Sequence, residues 1–320
     1  MELTYLYKLY NKYTNKFIKS SYIMKFTTLF ILIIIIPYYS YITIYPDVEG
    51  FNNNKTTYDN LKTLSGKNIY DKFYASIYDD LLYCETKNKY EVDEILKVTK
   101  LDKNTSVLDI GSGTGHHVSL FSNRDIESRG LDLSPAMVNK AKDNYPNENY
   151  QVGNALNGSL FMPNKFTLIT CLYFTIYYFK DKRQFFQNCI HWLQPGGHIA
   201  IHLVDKYNFD PILPPANPLI IISPQKYADK RITNSFIQFD THDYSSDFKL
   251  EKNSNMAIMY ETFKNKKNGK IRKHEHNLYF DTQMAILSQA EKVGFEFITK
   301  INMAKCQYDN QFIYILRKPS

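Results

Sequence analysis

Residues 107–116 read Val-Leu-Asp-Ile-Gly-Ser-Gly-Thr-Gly-His, and this stretch decides the fold. Its first four residues predict a short buried strand, and the chain from His116 onward predicts a helix. The glycines between them permit positive φ angles and let a ligand approach the backbone with no Cβ in the way. A strand that enters a glycine loop and continues as a helix is typical of a nucleotide-type ligand site in an α/β protein.

An acidic residue further along the chain narrows the choice of ligand. Asp132 follows Gly111 by 21 residues, at the end of the next predicted strand, where a carboxylate can accept hydrogen bonds from both ribose hydroxyls of an adenosine group. A dinucleotide and S-adenosylmethionine both carry such a ribose. A dinucleotide-binding fingerprint requires a third small residue at the position where this chain has His116. The negative charge of Asp109 is unfavourable beside a pyrophosphate but favourable beside a methionine ammonium.

Outward from the loop, apolar runs alternate with helical patterns from Ile69, which predicts a parallel α/β sheet. The alternation breaks after Val204 with a proline-containing insertion, and Asn268-Gly269 between two apolar runs predicts a β-hairpin. The predicted segments are a basic N-terminal segment (1–25), a transmembrane helix (26–45), a linker (46–65), a Rossmann-like core (66–204), the insertion and hairpin (205–280), and a closing helix with two antiparallel strands (281–320).

The transmembrane prediction rests on Phe26–Tyr45, twenty residues without a charge. Twenty helical residues span about 30 Å, the thickness of a bilayer core, and tyrosines stand at both ends. We predict an uncleaved single-pass membrane protein, with a cleaved signal peptide and a buried helix as the alternatives. The side of the main domain stays open, because five lysines before the segment place the N-terminus in the cytosol, whereas unpaired cysteines suit a reducing compartment for the domain.

Charge and cysteine usage exclude several classes of protein. The net charge is +7, but residues 1–46 carry five lysines and one glutamate, so the remaining chain carries only +3. A domain so weakly basic gives no strong nucleic-acid signal. The four cysteines lack CxxC spacing, which argues against a zinc ribbon and a disulfide scaffold.

The sequence resembles the class I S-adenosylmethionine-dependent methyltransferases from about Tyr70 to Leu316. The resemblance rests on VLDIGSGTG (107–115), GLDLSPAMVNKAK (130–142), the stretch around Gly153-Asn154-Ala155, and LQPGGHIAIHLVD (193–205). It implies a Rossmann-like, mostly parallel seven-stranded sheet with helices on both faces. It also implies S-adenosylmethionine as the cofactor.

The resemblance assigns roles by position. It puts Asp132 on the ribose, Leu133 against the adenine, and Leu172 at the methionine amine through its backbone carbonyl. Asn154 stands where the family often has an aspartate that bonds the adenine amino group. The full set of implied cofactor residues is Tyr70, Asp109, Gly111, Ser112, Gly113, Gly115, Asp132, Leu133, Asn154, Ala155 and Leu172.

Methyl transfer from a sulfonium is an in-line displacement that requires alignment but no dedicated nucleophile. If the acceptor is protonated, a base helps, and His202, Tyr177 and Tyr178 are the candidates. His274 and His276 share one face of a predicted strand, but no third ligand is evident, so we predict a solvated face and no metal.

The predicted function is therefore methyl transfer from S-adenosylmethionine to an unidentified, small-molecule acceptor, by an enzyme anchored in the membrane. The alternatives are a methyltransferase for a protein or a nucleic-acid end, and a degenerate membrane-tethered binding module. The insertion and hairpin are the candidate acceptor cap. The sequence leaves the oligomeric state open.

The cap hypothesis makes the first testable prediction. Deleting the hairpin tip, Asn265–Lys270, should impair use of the acceptor more than binding of S-adenosylmethionine, because the tip lies far along the chain from the glycine loop. Steady-state kinetics and calorimetry on the same variant compare the two effects. Equal losses would mean that the hairpin strands only complete the fold.

Overall fold

The glycine loop lies at the centre of a seven-stranded sheet. The computed structural model describes residues 21–27, 30–31, 63–101, 104–213, 225, 228–252 and 254–320. The chain divides into two units, 1–59 and 60–320. In the first unit residues 22–27 are helical, and all strands and helices named below belong to the second.

The second unit contains two sheets and six α-helices within the described residues. The strands are β1 (Thr63–Ser65), β2 (Ser106–Ile110), β3 (Glu127–Asp132), β4 (Asn149–Val152), β5 (Phe166–Cys171), β6 (Leu193–Val204), β7 (Asn234–Gln238), β8 (His242–Leu250), β9 (Met256–Asn265), β10 (Ile271–Tyr279), β11 (Glu296–Asn302) and β12 (Gln311–Arg317). The helices are α1 (Lys72–Leu82), α2 (Glu85–Thr99), α3 (His116–Ser122), α4 (Pro135–Asn144), α5 (Lys182–Trp192) and α6 (Gln283–Val293).

The larger sheet has the strand order β11-β12-β6-β5-β2-β3-β4 and confirms the predicted Rossmann-like architecture. Strands β2 to β6 pair in parallel, whereas β12 is antiparallel to both β6 and β11, as predicted for the closing strands. The chain order reverses between β2 and β5. In open α/β sheets, ligands bind at the carboxyl ends of the strands beside such a reversal.

The smaller sheet has the order β1-β10-β9-β8-β7. The predicted hairpin is confirmed, with β9 and β10 antiparallel around Asn268-Gly269. One boundary differs from the sequence prediction, because Thr63–Ser65, assigned to the linker, forms β1 and pairs in parallel with β10. A three-residue edge strand has too short a pattern to be seen in the sequence.

Aromatic side chains join the two sheets. Phe209, Phe248 and Phe280 pack together, and the Phe280 ring stacks on Tyr177 with centroids 4.3 Å apart. These residues belong to one core cluster that also contains Leu108 and Ile110 of the central strand β2. The antiparallel sheet is therefore fixed over the carboxyl ends of the parallel strands by a continuous apolar core.

The prediction of a single-pass membrane protein is corrected. Within the part of the chain that the structure describes, no helix is both long and apolar enough to cross a membrane. Most of the run Phe26–Tyr45 lies outside the described residues, because the structure describes only residues 26, 27, 30 and 31 of this run. A run without charges satisfies the length criterion in the sequence, but that criterion does not establish that the run forms one continuous helix.

The glycine loop gives a prediction about stability. Gly115 has φ +93°, and a Cβ there would lie 2.5 Å from Tyr150 Oη and 2.8 Å from its Cζ. We expect Gly115→Ala to lower the free energy of unfolding by more than about 2 kcal/mol, since a left-handed residue costs about 1–2 kcal/mol and Tyr150 must also move. Chemical denaturation measures the loss.

Gly269→Ala is the matched control. Gly269 has φ +68° and nothing within 4 Å of the added Cβ, so this substitution carries the backbone cost alone. If the two variants lost the same stability, the tight contact between Gly115 and Tyr150 would have no energetic weight.

Candidate active site

The loop after β2 is held against the next strand by its backbone. The N–H groups of Gly111 and Ser112 both donate to the Leu131 carbonyl, at 2.7 and 3.2 Å. Gly111 and Gly113 have φ angles of +74° and +54°, which L-residues with a Cβ adopt at a cost. The loop therefore presents bare backbone at the carboxyl end of the sheet.

Asp132 connects this loop to the next helix. Its carboxylate accepts one hydrogen bond from Gly113 N at 2.9 Å and one from Ser134 N at 2.8 Å. Burial raises the pKa of Asp132, and these two backbone hydrogen bonds oppose that effect. The carboxylate lines the main cavity, so it is available to a ligand there while also ordering the loop.

That cavity has a volume of about 610 Å³ and lies between the two sheets. Small-molecule sites commonly enclose about 300–1,000 Å³. One wall consists of residues at and after the ends of β2 to β5, and the other of residues from β8, β9 and β10. Leu133, Asn154 and Ala155 line the first wall, where sequence reasoning placed the adenine.

The other predicted cofactor residues lie in different surroundings. Asp109, Ser112 and Leu172 line a smaller recess of about 70 Å³ that shares Gly111 and Gly113 with the main cavity. Asp109 is only 2% exposed, and it accepts a hydrogen bond from Thr170 Oγ1 at 2.7 Å. Gly115 lines neither space. Their roles toward the cofactor stay predictions.

Tyrosines form the wall that faces the cofactor side. The tyrosines that line the cavity are Tyr70, Tyr74, Tyr78, Tyr173 and Tyr178, together with Tyr279 and Tyr308. Tyr70 packs edge-on against Tyr74 and Tyr178, with ring centroids 5.4 and 6.0 Å apart. Desolvation raises the pKa of Tyr70 and of Tyr178 well above the ordinary value, so both stay protonated at neutral pH.

Behind these tyrosines lies a buried carboxylate. Glu261 on β9 is 2% exposed and accepts four hydrogen bonds from three other elements. Its Oε1 receives Tyr74 Oη at 3.1 Å and Tyr244 Oη at 2.8 Å, and its Oε2 receives His274 Nδ1 at 3.0 Å and His276 Nε2 at 2.7 Å.

The charge of this carboxylate follows from its partners. Burial alone would raise the pKa of Glu261, but an attraction to His276 that acts when that ring is protonated, and the hydrogen bonds from both histidines and Tyr244, lower it. Glu261 is therefore ionised at neutral pH. Glu261 and His276 are among the residues that line the cavity, so its wall contains a negative charge beside the aromatic rings.

Two neighbouring groups determine the tautomers of the histidines. Arg272 Nε lies 2.6 Å from His274 Nε2, and a guanidinium can only donate, so Nε2 of His274 is unprotonated and Nδ1 carries the proton. His276 donates from Nε2 to Glu261. Tyr178 Oη accepts from Tyr70 Oη at 2.8 Å, which leaves the hydrogen of Tyr178 for Nδ1 of His276, 2.8 Å away.

The same contacts indicate whether Glu261, His274 and His276 could bind a metal ion. Glu261, His274 and His276 each offer one ligand atom, and these atoms lie within 4.8 Å of one another. A metal on His274 Nδ1 would require a proton on Nε2, directly facing the Nε–H of Arg272. The geometry favours a hydrogen-bonded cluster over a metal site.

The structure separates the three predicted catalytic candidates. Tyr178 lines the cavity. Tyr177 is fully buried in the core, where its Oη accepts from Val204 N at 2.9 Å. His202 is fully buried within β6, and burial lowers its pKa to about 4. Neither Tyr177 nor His202 lines the cavity.

The predicted solvated face of His274 and His276 is wrong, because both side chains are at most 3% exposed. Sequence reasoning also missed Glu261 as their partner. The signal was in the hairpin register: strands that pair Lys264 with Ile271 place Glu261 opposite His274.

Comparisons with known proteins identify a methyltransferase domain in part of the chain. A family model described as a methyltransferase domain matches residues 108–201. The chain is 32% identical over 139 residues to dTDP-4-amino-2,3,4,6-tetradeoxy-D-glucose N,N-dimethyltransferase of Saccharopolyspora spinosa. The matched region covers 42% of this chain and 55% of that protein. The chain is 28% identical over 174 residues to phosphoethanolamine N-methyltransferase of Plasmodium falciparum. This matched region covers 51% of this chain and 62% of that protein.

Among solved structures, S-adenosylmethionine-bound CalS10, an amino pentose methyltransferase from Micromonospora echinaspora, superposes with a TM-score of 0.56. It is 16% identical and covers 82% of this chain and all of its own length, a likeness that concerns the fold alone. Residues 108–201 thus match a methyltransferase domain, and the fold is that of S-adenosylmethionine-dependent methyltransferases, whose cofactor is S-adenosylmethionine. The chain spans little more than half the length of the curated relatives it matches.

Asp132 provides the test of the cofactor end. If its carboxylate binds a ribose, Asp132→Ala should weaken S-adenosylmethionine binding at least about tenfold, since hydrogen bonds to charged groups are worth about 1.5–3 kcal/mol each. Asp132→Asn should be milder because one acceptor oxygen remains. Calorimetry measures affinity and thermal melting measures stability.

Asp143→Ala, an exposed acid on α4, is the matched control. Asp132 also accepts Ser134 N, so its removal could act through the helix start alone. A lower melting temperature with unchanged affinity in Asp132→Ala would defeat the ribose assignment.

Proposed function

We propose that this protein transfers the methyl group of S-adenosylmethionine to the nitrogen of a small amine. The observation that carries the proposal is the buried Glu261 carboxylate, which accepts four hydrogen bonds and lies beside the tyrosines of the cavity shared with the glycine loop. The cofactor supplies an electrophilic methyl group when bound.

The shape of the cavity supports a small acceptor. Gly111 and Asp132 line one side of it, and Tyr70, Tyr178 and His276 line another. A single enclosed space allows both reactants to be aligned for in-line displacement, and alignment supplies much of the rate of such a reaction. The cap strands cover this space, which limits the access of water.

The charge of the cavity supports an amine over other acceptors. An ammonium is attracted to the negative faces of aromatic rings, more strongly where the site is desolvated. The Glu261 carboxylate adds a Coulomb attraction for the same charge. A neutral hydroxyl acceptor would gain little from this Coulomb attraction.

The relatives give independent support. The names of the two curated relatives reported above describe methyl transfer to the nitrogen of an amino sugar nucleotide and of phosphoethanolamine. Both acceptors present a small, protonated amine. The matched regions cover 42% and 51% of this chain, so the acceptor is inferred from the cavity as well as from these names.

A panel of acceptors tests the proposal. The full chain is incubated with methyl-labelled S-adenosylmethionine and phosphoethanolamine, ethanolamine or a dTDP-linked amino sugar, each beside its hydroxyl counterpart. We expect labelled N-methyl product from at least one amine and turnover at least about a hundredfold slower with the matched hydroxyl compound, because the alcohol lacks the charge that Glu261 attracts.

Mass spectrometry identifies the methylated atom. A peptide mixture and a short RNA are included as larger acceptors. Transfer to either of these, or to a hydroxyl oxygen with the amines left unmodified, would contradict the proposal.

A further inference from the structure

A chain of hydrogen bonds leads from the cavity to Glu261, and every donor in it points the same way. Tyr70 donates to Tyr178, Tyr178 donates to His276 Nδ1, and His276 Nε2 donates to Glu261. The carboxylate only accepts, so it places a hydrogen on His276 Nε2, and the hydrogen bond that Tyr70 donates leaves the Tyr178 hydrogen for His276 Nδ1. It follows that each group in the chain can receive a proton on one side while passing its own proton inward.

The entry to this chain faces the cavity. Tyr70 and Tyr178 both line it, and a phenol oxygen that donates one hydrogen bond can still accept from another group. Both phenols are held in their neutral form by desolvation. A protonated amine in the cavity can therefore donate to either oxygen.

We propose that Tyr70, Tyr178 and His276 form a proton relay that deprotonates the acceptor ammonium, with Glu261 stabilising the imidazolium that results. This inference rests on the proposed amine methyltransferase function. It assigns a base to the reaction on the inserted antiparallel sheet, outside the parallel sheet that carries the cofactor loop.

The transfer balances as follows. The ammonium N–H bond breaks and leaves its electron pair on nitrogen, while its proton bonds to Tyr70 Oη. The former O–H proton of Tyr70 moves to Tyr178 Oη, and the former O–H proton of Tyr178 moves to His276 Nδ1, so both tyrosines end neutral and His276 ends as an imidazolium. The free lone pair of the amine then attacks the methyl carbon, the carbon–sulfur bond breaks, and its electron pair stays on sulfur.

Every element packed against His276 contributes to its protonation. Glu261 from β9 faces its Nε2, and Tyr178 from the turn after β5 faces its Nδ1. The other titratable groups around it are His274 on its own strand, Tyr70 and Tyr74 before and within α1, and Tyr244 on β8 through Glu261. Among these groups Glu261 carries the formal charge, and it accepts from Nε2 of His276 at 2.7 Å.

Arg272 and His274 are positioning residues. Arg272 fixes the His274 tautomer and is itself held by Asp71 at 2.9 Å. His274 then donates to the same Glu261 oxygen as His276. This leaves the Glu261 carboxylate saturated with donors and unable to rotate away from His276.

The test compares single-turnover rates of wild type, His276→Gln and Tyr178→Phe from about pH 6 to about pH 10, with phosphoethanolamine and a dTDP-linked amino sugar as probes. Near pH 7 both variants should be slower by at least about a hundredfold, the range of general base catalysis. The deficit should shrink as pH rises, because the amine then arrives already deprotonated.

Affinity for S-adenosylmethionine, measured by calorimetry, should change less than about twofold in both variants, which separates the relay from folding and cofactor binding. His191→Gln and Tyr260→Phe, two exposed residues that do not line the cavity, are the matched controls. A deficit independent of pH, or no deficit at all, would overturn the relay. An inactive wild type would instead reject the proposed function.

A spectroscopic readout needs no acceptor. In ¹⁵N NMR of histidine-labelled wild type, His276 should show the Nε2–H tautomer and His274 the Nδ1–H tautomer, assigned by loss of each signal in its Gln variant. The reverse tautomers would overturn the proposed direction of transfer. Loss of activity on dialysis against EDTA, restored by a divalent cation, would also overturn it in favour of a metal site.

Discussion

The burial of one charge, the Glu261 carboxylate, constrains the architecture of the catalytic unit. Burying an isolated charge in a protein interior costs on the order of several kcal/mol. A buried charge must therefore be paired and fully hydrogen-bonded to persist. Glu261 meets this condition with donors from α1, β8 and β10. Helix α1, which packs against α4 beside the glycine loop, is thereby connected to the antiparallel cap. The cofactor side and the cap are held in one arrangement by polar contacts as well as by the aromatic core.

This arrangement divides the chemistry between two sheets. The parallel sheet brings together the loop after β2 and the carboxylate at the end of β3, which are suited to hold a cofactor and contribute few titratable groups to the transfer. The antiparallel sheet contributes the ionisable groups Glu261 and His276 to the cavity wall. In the proposed function this sheet binds the acceptor, so changes in it would alter the acceptor with little effect on the loop after β2.

The sequence predicted the parts of the fold that depend on local pattern. Three such parts follow from the backbone preferences of neighbouring residues. They are the strand, glycine loop and helix around residues 107–116, the helix N-terminus at Ser134-Pro135, and the hairpin at Asn268-Gly269. Tyr178 was a catalytic candidate because it follows a strand of the predicted sheet. Thr63–Ser65 was missed as a strand. Tyr177 and His202 were expected near the cavity, but both are buried elsewhere, because the sequence pattern does not show on which side of an element a cavity lies.

Local sequence patterns were sufficient to predict the type of domain and the glycine loop after β2, since glycine conformations, capping and hydrophobic alternation act over a few residues. The side chains that line the cavity follow from contacts between distant parts of the chain and were not evident in the sequence. His274 and His276 read as a solvated pair until the pairing of β9 with β10 put Glu261 opposite them and α1 covered them with Tyr74. Tyr70 and His276 are 206 positions apart in the chain, and their connection through Tyr178 exists only because the two sheets close on each other.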